Sequence, residues 1–138
     1  MNIRVVLIDE NEKVRQLLAL RLAGLRGIEV VGSTSDAEEG LSRIEAAVPD
    51  VVLLDLRMRH ANGLEVCRRA HSLNKGTPVV VLTTYGSPAE RRMASEAGAG
   101  DYLLKDVDTE KLALSIEHLA SNRGPGLSTG GPANGPEI

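Results

Sequence analysis

The sequence has no phenylalanine and no tryptophan, and it has only two tyrosines, Tyr85 and Tyr102. A hydrophobic core must therefore be built almost entirely from aliphatic side chains. A single cysteine, Cys67, excludes a disulfide framework and a cysteine-based zinc site. No apolar run approaches the roughly 18 residues that a membrane span needs, and the first residues lack the apolar region and cleavage site of a signal peptide. We therefore expect a soluble, cytoplasmic protein that does not associate with membranes.

A strongly basic charge balance is absent as well. The 16 lysines and arginines are outnumbered by 19 aspartates and glutamates, and the formal net charge is −3 at pH 7. This balance gives the chain no electrostatic footprint for nucleic acid. The hydrophobic fraction of 42% and the charged fraction of 25% are ordinary for a globular protein, and 138 residues are enough for one domain with a full core.

The composition of the chain changes near residue 123. Residues 123–138 contain five glycines and three prolines, with few large apolar side chains. Such a segment cannot bury enough apolar surface to offset the entropy lost on ordering. We predict a globular domain at residues 1–122, followed by a flexible tail or a truncated interdomain linker at 123–138.

Five apolar runs of strand length lie along the globular part. Most are rich in valine or isoleucine and none alternates with polar residues, which is typical of buried parallel strands. The runs are Ile3–Ile8, Ile28–Val31, Val51–Leu54, Val79–Leu82 and Tyr102–Leu104. Amphipathic helical segments follow each of them, so the order is βαβαβαβαβα. This order predicts an α/β fold, a doubly wound parallel sheet of five strands covered by five helices.

Local signals support the helix boundaries. Capping boxes at Ser35 to Glu38 and at Ser87 to Glu90 predict the starts of the second and fourth helices. Leu41, Ile44 and Val48 mark the apolar face of the second helix. Cys67 lies on the apolar face of the third helix and is predicted to be a core residue rather than a reactive thiol.

Polar residues gather where the strands end. In a doubly wound sheet, ligands bind outside the carboxyl ends of the strands, and with the strand order 2-1-3-4-5 the ends of the first and third strands form the crevice. The residues that follow the strands are Asp9, Glu10, Asp55, Thr83, Thr84, Lys105 and Asp106. We therefore expect the carboxylates of Asp9, Glu10 and Asp55, two hydroxyls and the Lys105 ammonium at one edge of the sheet.

This set of groups has a distinct chemistry. Three neighbouring carboxylates repel one another unless a cation compensates their charge. Oxygen ligands suit a hard cation such as Mg²⁺, and no histidine or cysteine follows these strands to indicate zinc. A carboxylate beside Mg²⁺, with a lysine and a threonine hydroxyl nearby, can act as a nucleophile toward a phosphoryl group.

The same stretches carry a family resemblance. They are Val6 to Glu10, Pro49 to Leu56, Asn62 to Glu65, Val81 to Thr84 and Ala97 to Asp106. Over residues 2–122 the chain resembles a response-regulator receiver domain of two-component signalling. The resemblance is to the NarL/FixJ type, which precedes LuxR-type helix-turn-helix domains. It implies a flavodoxin-like fold.

The resemblance assigns roles to individual residues. Asp55 resembles the aspartate that accepts the phosphoryl group, and Lys105 resembles the lysine that contacts the phosphate. Asp9 and Glu10 resemble the acidic pair that positions Mg²⁺, with Asp55 and the main-chain carbonyl of Arg57 as further metal ligands.

Two residues resemble the switch that reports phosphorylation. Thr83 matches the switch hydroxyl and Tyr102 the switch aromatic, so a rearrangement of the two would transmit the phosphorylated state.

The sequence also departs from the family pattern at two positions. Glu10 is one methylene longer than the usual aspartate, which bears on metal affinity because Mg²⁺ demands near-ideal octahedral geometry. Arg59 stands where the family usually has proline, and it adds a charge near the phosphate.

The function implied by the resemblance is a phosphorylation-controlled signalling switch. A sensor histidine kinase would supply the phosphoryl group, and a homodimer could form on phosphorylation. DNA would be bound only by an output domain that is absent from this chain. The domain would not be an enzyme, and the only reactions it would catalyse are its own phosphorylation and dephosphorylation. A pseudo-receiver or a single-domain receiver that acts only by protein–protein contact remains the alternative.

Two other classes fit the residues less well. Phosphatases with an aspartyl nucleophile usually need a second acid two residues later, where this chain has Arg57. A flavodoxin-like cofactor binder would need a phosphate-cradling turn after the first strand. The acidic stretch Asp9 to Glu12 would repel a phosphate there.

Overall fold

The computed structural model describes residues 2–122. The predicted tail at 123–138 lies outside the described residues. The strands are β1 (Ile3–Ile8), β2 (Ile28–Thr34), β3 (Val51–Leu54), β4 (Val79–Thr83) and β5 (Asp101–Leu104). The helices are α1 (Glu12–Ala23), α2 (Ala37–Ala47), α3 (Gly63–Ser72), α4 (Pro88–Glu96) and α5 (Thr109–Ser121), and a short 3₁₀ turn, Leu73–Lys75, follows α3.

The five strands form one parallel sheet in the order β2-β1-β3-β4-β5, as predicted. Val5–Ile8 of β1 pair in register with Val51–Leu54 of β3, so these two strands end side by side. Because the strand order reverses between β1 and β3, a crevice opens at their carboxyl ends.

Helices cover both faces of the sheet, and each face has its own core. One core packs side chains of α2, α3 and α4 against the sheet and includes Tyr102. The other packs α1 and α5 against the opposite face. The residues of β3 are at most 2% exposed, which explains why the strand sequences show no polar alternation. Cys67 is buried in the first core, as predicted, and burial raises the pKa of its thiol to about 11.

The helix starts confirm one capping prediction and correct the other. The Ser87 side chain accepts a hydrogen bond from the Glu90 N–H at 3.0 Å and begins α4. The prediction of Ser35 as the cap of α2 is wrong. Asp36 caps that helix by accepting from the Glu39 N–H at 2.8 Å, because its carboxylate stands one residue nearer to the first helical turn.

Val48 does not belong to the apolar face of α2. The helix ends at Ala47, and Val48 adopts a left-handed conformation with φ 48° and is 49% exposed. Pro49 follows directly, and a proline disfavours the right-handed helical conformation in the residue before it. The prediction that Val48 faces the core is therefore wrong.

None of the helices within residues 2–122 has the length and the apolar character needed to cross a membrane.

Candidate functional site

Three residues at the edge of the sheet are held there by backbone hydrogen bonds. The Asp9 N–H donates to the Thr34 carbonyl at 3.1 Å, and the Asp55 N–H donates to the Ile8 carbonyl at 3.0 Å. The Lys105 N–H donates to the carbonyl of Thr83 at 2.8 Å. Each residue thus continues the pairing of its strand by one position beyond the strand end. The side chains of Asp9, Asp55 and Lys105 are fixed on a common edge for that reason.

These three side chains form the centre of the site. The Lys105 Nζ lies 2.7 Å from Asp9 Oδ2 and 3.1 Å from Asp55 Oδ2. Asp9 is 3% exposed and Asp55 is 7% exposed, so two buried carboxylates share one ammonium group. The sequence prediction that Asp9, Asp55 and Lys105 meet is in agreement with this geometry.

The remaining carboxylate oxygens accept backbone hydrogen bonds. Asp55 Oδ1 accepts from the Arg57 N–H at 3.0 Å, and Asp9 Oδ1 accepts from the Asn11 N–H at 2.8 Å. All four oxygens of the two carboxylates therefore have a partner. The bonds from Arg57 and Asn11 fix the rotamers of both side chains, so the acceptor candidate Asp55 is held in one orientation.

The charges of Asp9, Asp55 and Lys105 do not balance. Burial raises the pKa of Asp55, and the charge of Asp9 adds to that rise, although the Arg57 N–H and Lys105 oppose it. Burial by itself would lower the pKa of Lys105, but its contacts with Asp9 and Asp55 outweigh burial and raise the pKa overall. One ammonium thus compensates two buried carboxylates incompletely. The edge carries an excess of negative charge that a further cation would relieve.

Glu10 lines the same cavity as Asp9, Asp55 and Lys105, but its carboxylate is bonded to the loop after β3. Its two carboxylate oxygens accept hydrogen bonds from the Arg59 N–H at 2.8 Å and from the His60 N–H at 3.0 Å. These bonds, in the same order, lower the pKa of Glu10. Within residues 2–122 no three histidine, cysteine, aspartate or glutamate side chains are grouped as they would be around a metal ion. Asp9 and Asp55 offer the oxygen donors that suit Mg²⁺, and the Glu10 carboxylate lies at the same cavity with each oxygen bonded to a loop amide.

Thr83 is completely buried at the end of β4. Its hydroxyl donates to the Tyr85 carbonyl at 3.2 Å, and its own carbonyl accepts from the Lys105 N–H. The Arg57 guanidinium donates to the same Tyr85 carbonyl at 3.0 Å. The loop after β4 and the loop after β3 are therefore joined at one carbonyl oxygen.

Tyr102 is 6% exposed and belongs to the core that packs against α4. Its hydroxyl donates to Glu90 Oε1 and accepts from the Ser87 N–H at 3.3 Å. The Arg91 guanidinium lies 5.3 Å from the centre of the Tyr102 ring and donates to the Tyr102 carbonyl at 3.2 Å. Burial, and then the bond to Glu90, raise the pKa of the phenol.

Sequence reasoning missed the part that Glu90 plays. The capping box assigned its carboxylate to the N-terminus of α4, but the carboxylate instead joins the Tyr102 hydroxyl to Arg57, whose guanidinium lies 3.6 Å from Glu90 Oε2. Only the spacing of Glu90 from the strand that ends at Thr83 could have hinted at this contact, and spacing alone does not fix a rotamer.

Comparison with known proteins places the chain in a family. The model of the response regulator receiver domain matches residues 5–117. The DNA-binding transcriptional activator DevR/DosR of Mycobacterium tuberculosis is 34% identical over 121 residues, which cover 88% of this chain and 56% of that protein. A response regulatory protein of Vibrio cholerae is 42% identical over 116 residues, covering 83% of this chain and 47% of that protein.

Solved structures agree with this assignment. The receiver domain of the response regulator NarL from Mycobacterium tuberculosis superposes with a TM-score of 0.79 at 31% identity, and the match covers 88% of this chain and 98% of that one. A LuxR-family two-component response regulator from Aurantimonas has a TM-score of 0.82 at 27% identity, with 89% and 88% of the two chains covered.

The fold and the acidic edge thus define a signalling domain of the flavodoxin-like class, a kind of domain not generally counted among enzymes. The chain belongs to the response regulator receiver domain family of two-component systems, whose members are often parts of transcription regulators. It spans about half the length of the curated relatives that it matches.

Proposed function

We propose that this domain is a phosphorylation-controlled switch that accepts a phosphoryl group from a sensor histidine kinase onto Asp55. The observation that carries the proposal is the Lys105 ammonium, which contacts both Asp9 and Asp55 at the crevice between β1 and β3. A buried carboxylate held in one rotamer beside a cation is suited to attack on phosphorus.

The transfer is a displacement at phosphorus. An oxygen of the Asp55 carboxylate forms a bond to phosphorus while the phosphorus–nitrogen bond of the kinase phosphohistidine breaks, and the imidazole leaves. Lys105 offsets the charge that spreads over the transferred oxygens. The Arg57 N–H holds the other carboxylate oxygen during the attack. The same groups support slow self-phosphorylation from small phosphodonors and self-dephosphorylation.

We assign Mg²⁺ to this edge, with Asp9 and Asp55 as ligands and with Glu10 and the Arg57 carbonyl as the further ligands implied by the family. When bound, Mg²⁺ supplies positive charge next to the transferred phosphoryl group. The excess negative charge of Asp9 and Asp55 supports this assignment. Glu10 lines the same cavity, and its two oxygens, each of which accepts one amide hydrogen bond from Arg59 or His60, keep further lone pairs for a metal.

The switch we propose begins at Thr83. A phosphoryl group at Asp55 brings acceptor oxygens and negative charge, and the Thr83 hydroxyl turns toward them and leaves the Tyr85 carbonyl. Because Tyr102 is already buried, the coupled change concerns the partners of its hydroxyl rather than its exposure. The surface of α4, β5 and α5 changes with it.

The wider function follows from the relatives. We propose that the domain works in the cytoplasm, and that a DNA-binding output domain in the same protein regulates transcription, with a homodimer forming on phosphorylation. DevR/DosR, named as a DNA-binding transcriptional activator, supports this proposal. A single-domain receiver that acts by protein contact is the alternative if the gene encodes no such output domain.

Phosphorylation is tested with acetyl phosphate and Mg²⁺, followed by intact mass spectrometry. We expect a phosphoryl adduct on the wild type and none on Asp55→Asn. The matched control is Asp106→Asn, which makes the same change at an exposed carboxylate beside Lys105 and should be phosphorylated like the wild type. Uptake by Asp55→Asn equal to the wild type would overturn the assignment.

The metal and the switch have separate tests. Calorimetric titration with Mg²⁺ should show weaker binding to Glu10→Gln than to the wild type, and equal affinity would remove Glu10 from the ligand set. Thr83→Ala should still bind beryllofluoride, but the NMR shifts around Tyr102 should change much less than in the wild type. Identical changes in the two proteins would exclude the proposed coupling.

A further inference from the structure

A chain of polar contacts leads from the loop of the acceptor to β5. The Arg57 guanidinium donates to the Tyr85 carbonyl at 3.0 Å and lies 3.6 Å from Glu90 Oε2. The other oxygen of the same carboxylate, Oε1, accepts from the Tyr102 hydroxyl. We call Arg57, Glu90 and Tyr102 the relay. It connects the loop after β3, the first turn of α4 and the edge strand β5.

The backbone of Arg57 contacts Asp55, and its side chain contacts Glu90. Its backbone N–H donates to Asp55 Oδ1 at 3.0 Å, while its side chain reaches across to Glu90. The residue also lines the same cavity as Asp9, Asp55 and Lys105. The guanidinium therefore stands between two anionic positions, the Glu90 carboxylate and the place where a phosphoryl group on Asp55 would lie.

The two carboxylate oxygens of Glu90 contact different residues, Oε1 the Tyr102 hydroxyl and Oε2 the Arg57 guanidinium. The Glu90 side chain is 22% exposed, against 52% for Arg57, so the guanidinium is the more accessible of the two partners. A dianionic phosphoryl group attracts a guanidinium more strongly than a single carboxylate does, and it offers several acceptor oxygens. Phosphorylation would therefore draw Arg57 away from Glu90.

We propose that Arg57 is a positioning residue that holds the Glu90 carboxylate, and through it the Tyr102 hydroxyl, in the unphosphorylated arrangement. A phosphoryl group at Asp55 ends this hold by taking the guanidinium for itself. The inference rests on the proposed function and adds a second connection to β5, alongside the one through Thr83. Both connections meet at the Tyr85 carbonyl, which accepts from Arg57 and from Thr83.

The experiment uses the two tyrosines as reporters. Ring resonances of Tyr85 and Tyr102 are recorded by ¹H–¹³C NMR on the whole chain, with and without beryllofluoride, and Tyr85→Phe assigns them. Fluorine NMR measures occupancy of Asp55 independently. The variants are Arg57→Gln and Glu90→Gln, singly and together. The matched control is Arg59→Gln, which removes the same charge from the same loop and leaves the Arg57–Glu90 contact in place.

We expect Arg57→Gln without beryllofluoride to move the Tyr102 resonances toward their wild-type beryllofluoride positions. Exposed ion pairs of this kind shift an equilibrium by about twofold to fivefold, so the movement should be partial. Glu90→Gln should move them further, because it also changes the partner of the Tyr102 hydroxyl. Adding Arg57→Gln to Glu90→Gln should then change little, since the Arg57–Glu90 contact is already broken. Arg59→Gln should leave Tyr102 as in the wild type.

Failure of the inference and failure of the proposed function give different results. If fluorine NMR finds no beryllofluoride at Asp55, the proposed function is wrong, and the comparison without beryllofluoride still tests the hold of Arg57 on Glu90. If Tyr102 has wild-type resonances in Arg57→Gln, the inference is overturned. It is also overturned if Arg59→Gln moves the Tyr102 resonances as far as Arg57→Gln, because the effect would then be one of general charge.

Discussion

Asp55→Asn should make the domain more stable near neutral pH while abolishing its proposed phosphorylation. In the wild type, two carboxylates that are 3% and 7% exposed share the single ammonium group of Lys105. The substitution leaves Asp9 and Lys105 as a balanced pair. It also keeps an oxygen that can accept from the Arg57 N–H. A residue required for phosphoryl transfer would then be one that costs stability.

The size of the gain follows from the geometry. Both carboxylate oxygens lie within 3.1 Å of the same Nζ atom. They are therefore at most about 6 Å apart, a repulsion of about 3 kcal/mol at an effective dielectric constant near 20. The Asp55–Lys105 attraction that is lost, across 3.1 Å, is about 5 kcal/mol on the same scale, so the two Coulomb contributions alone would favour the wild type. Burial decides the sign, because taking a carboxylate out of water costs several kcal/mol and raises the pKa of Asp55 in spite of these contacts. We expect a net increase of about 1–2 kcal/mol in the free energy of unfolding.

The gain should depend on pH in a definite direction. Because burial raises the pKa of Asp55 above its unfolded value, the folded wild type takes up a proton earlier than the unfolded chain as the pH falls. Protonation removes the unfavourable charge and stabilises the wild type, whereas the side-chain amide of the Asp55→Asn variant does not titrate in this range. The difference should be full above the folded pKa and should vanish below the ordinary aspartate range.

Urea denaturation of both proteins with EDTA, at several pH values between 3 and 8, measures this difference. Mg²⁺ in a parallel series should narrow it, since a bound cation stabilises the wild type more than the variant. A variant as stable as the wild type at pH 7.5, or less stable, would refute the idea that Lys105 leaves the two carboxylates under-compensated. A gain that persists unchanged at low pH would refute its electrostatic origin.

Gly63→Ala should cost at least about 3 kcal/mol in urea denaturation, because its Cβ would lie 2.0 Å from the Leu56 carbonyl oxygen; Gly24→Ala, where the nearest atom lies at 3.7 Å, should cost much less. The NMR signals of the Arg59 and His60 amide protons should shift on acidification with a midpoint below the ordinary glutamate range, because the hydrogen bonds from these amides lower the pKa of Glu10. Glu10→Gln should abolish this transition. The Cys67 thiol, buried and with a pKa of about 11, should react with a disulfide reagent at pH 8 only when urea unfolds the chain, and rapid reaction of the folded protein would contradict its place in the core.

The strands and the centre of the site were predictable because they depend on pattern. A strand buried on both faces needs an uninterrupted apolar run, as in Val51–Leu54, and parallel strands bring their following residues to one edge. Asp9, Asp55 and Lys105 meet for that reason alone.

The arrangement of the loops was not predictable in the same way. Glu10 follows Asp9 in the chain, yet its carboxylate turns to the amides of the loop after β3, whose conformation no local pattern specifies. Glu90 was expected only to cap a helix, and its link to Tyr102 depends on how α4 packs against β5. The side chain of Tyr102 is covered more fully than its position at the start of the shortest predicted strand indicated. Such contacts are set by tertiary packing.

The backbone bonds of Asp9 and Asp55 to neighbouring strands attach these two carboxylates directly to β1 and β3, which are interior strands of the sheet. Amide hydrogens in central strands exchange with solvent mainly through global unfolding, whereas loop amides exchange through small local openings. We therefore expect the amide hydrogens of Asp9 and Asp55 to exchange late, whereas Arg57 lies in the loop beside them and Glu90 in the first turn of α4. Substitutions in those segments can therefore change the surroundings of the proposed acceptor while its attachment to the sheet stays the same.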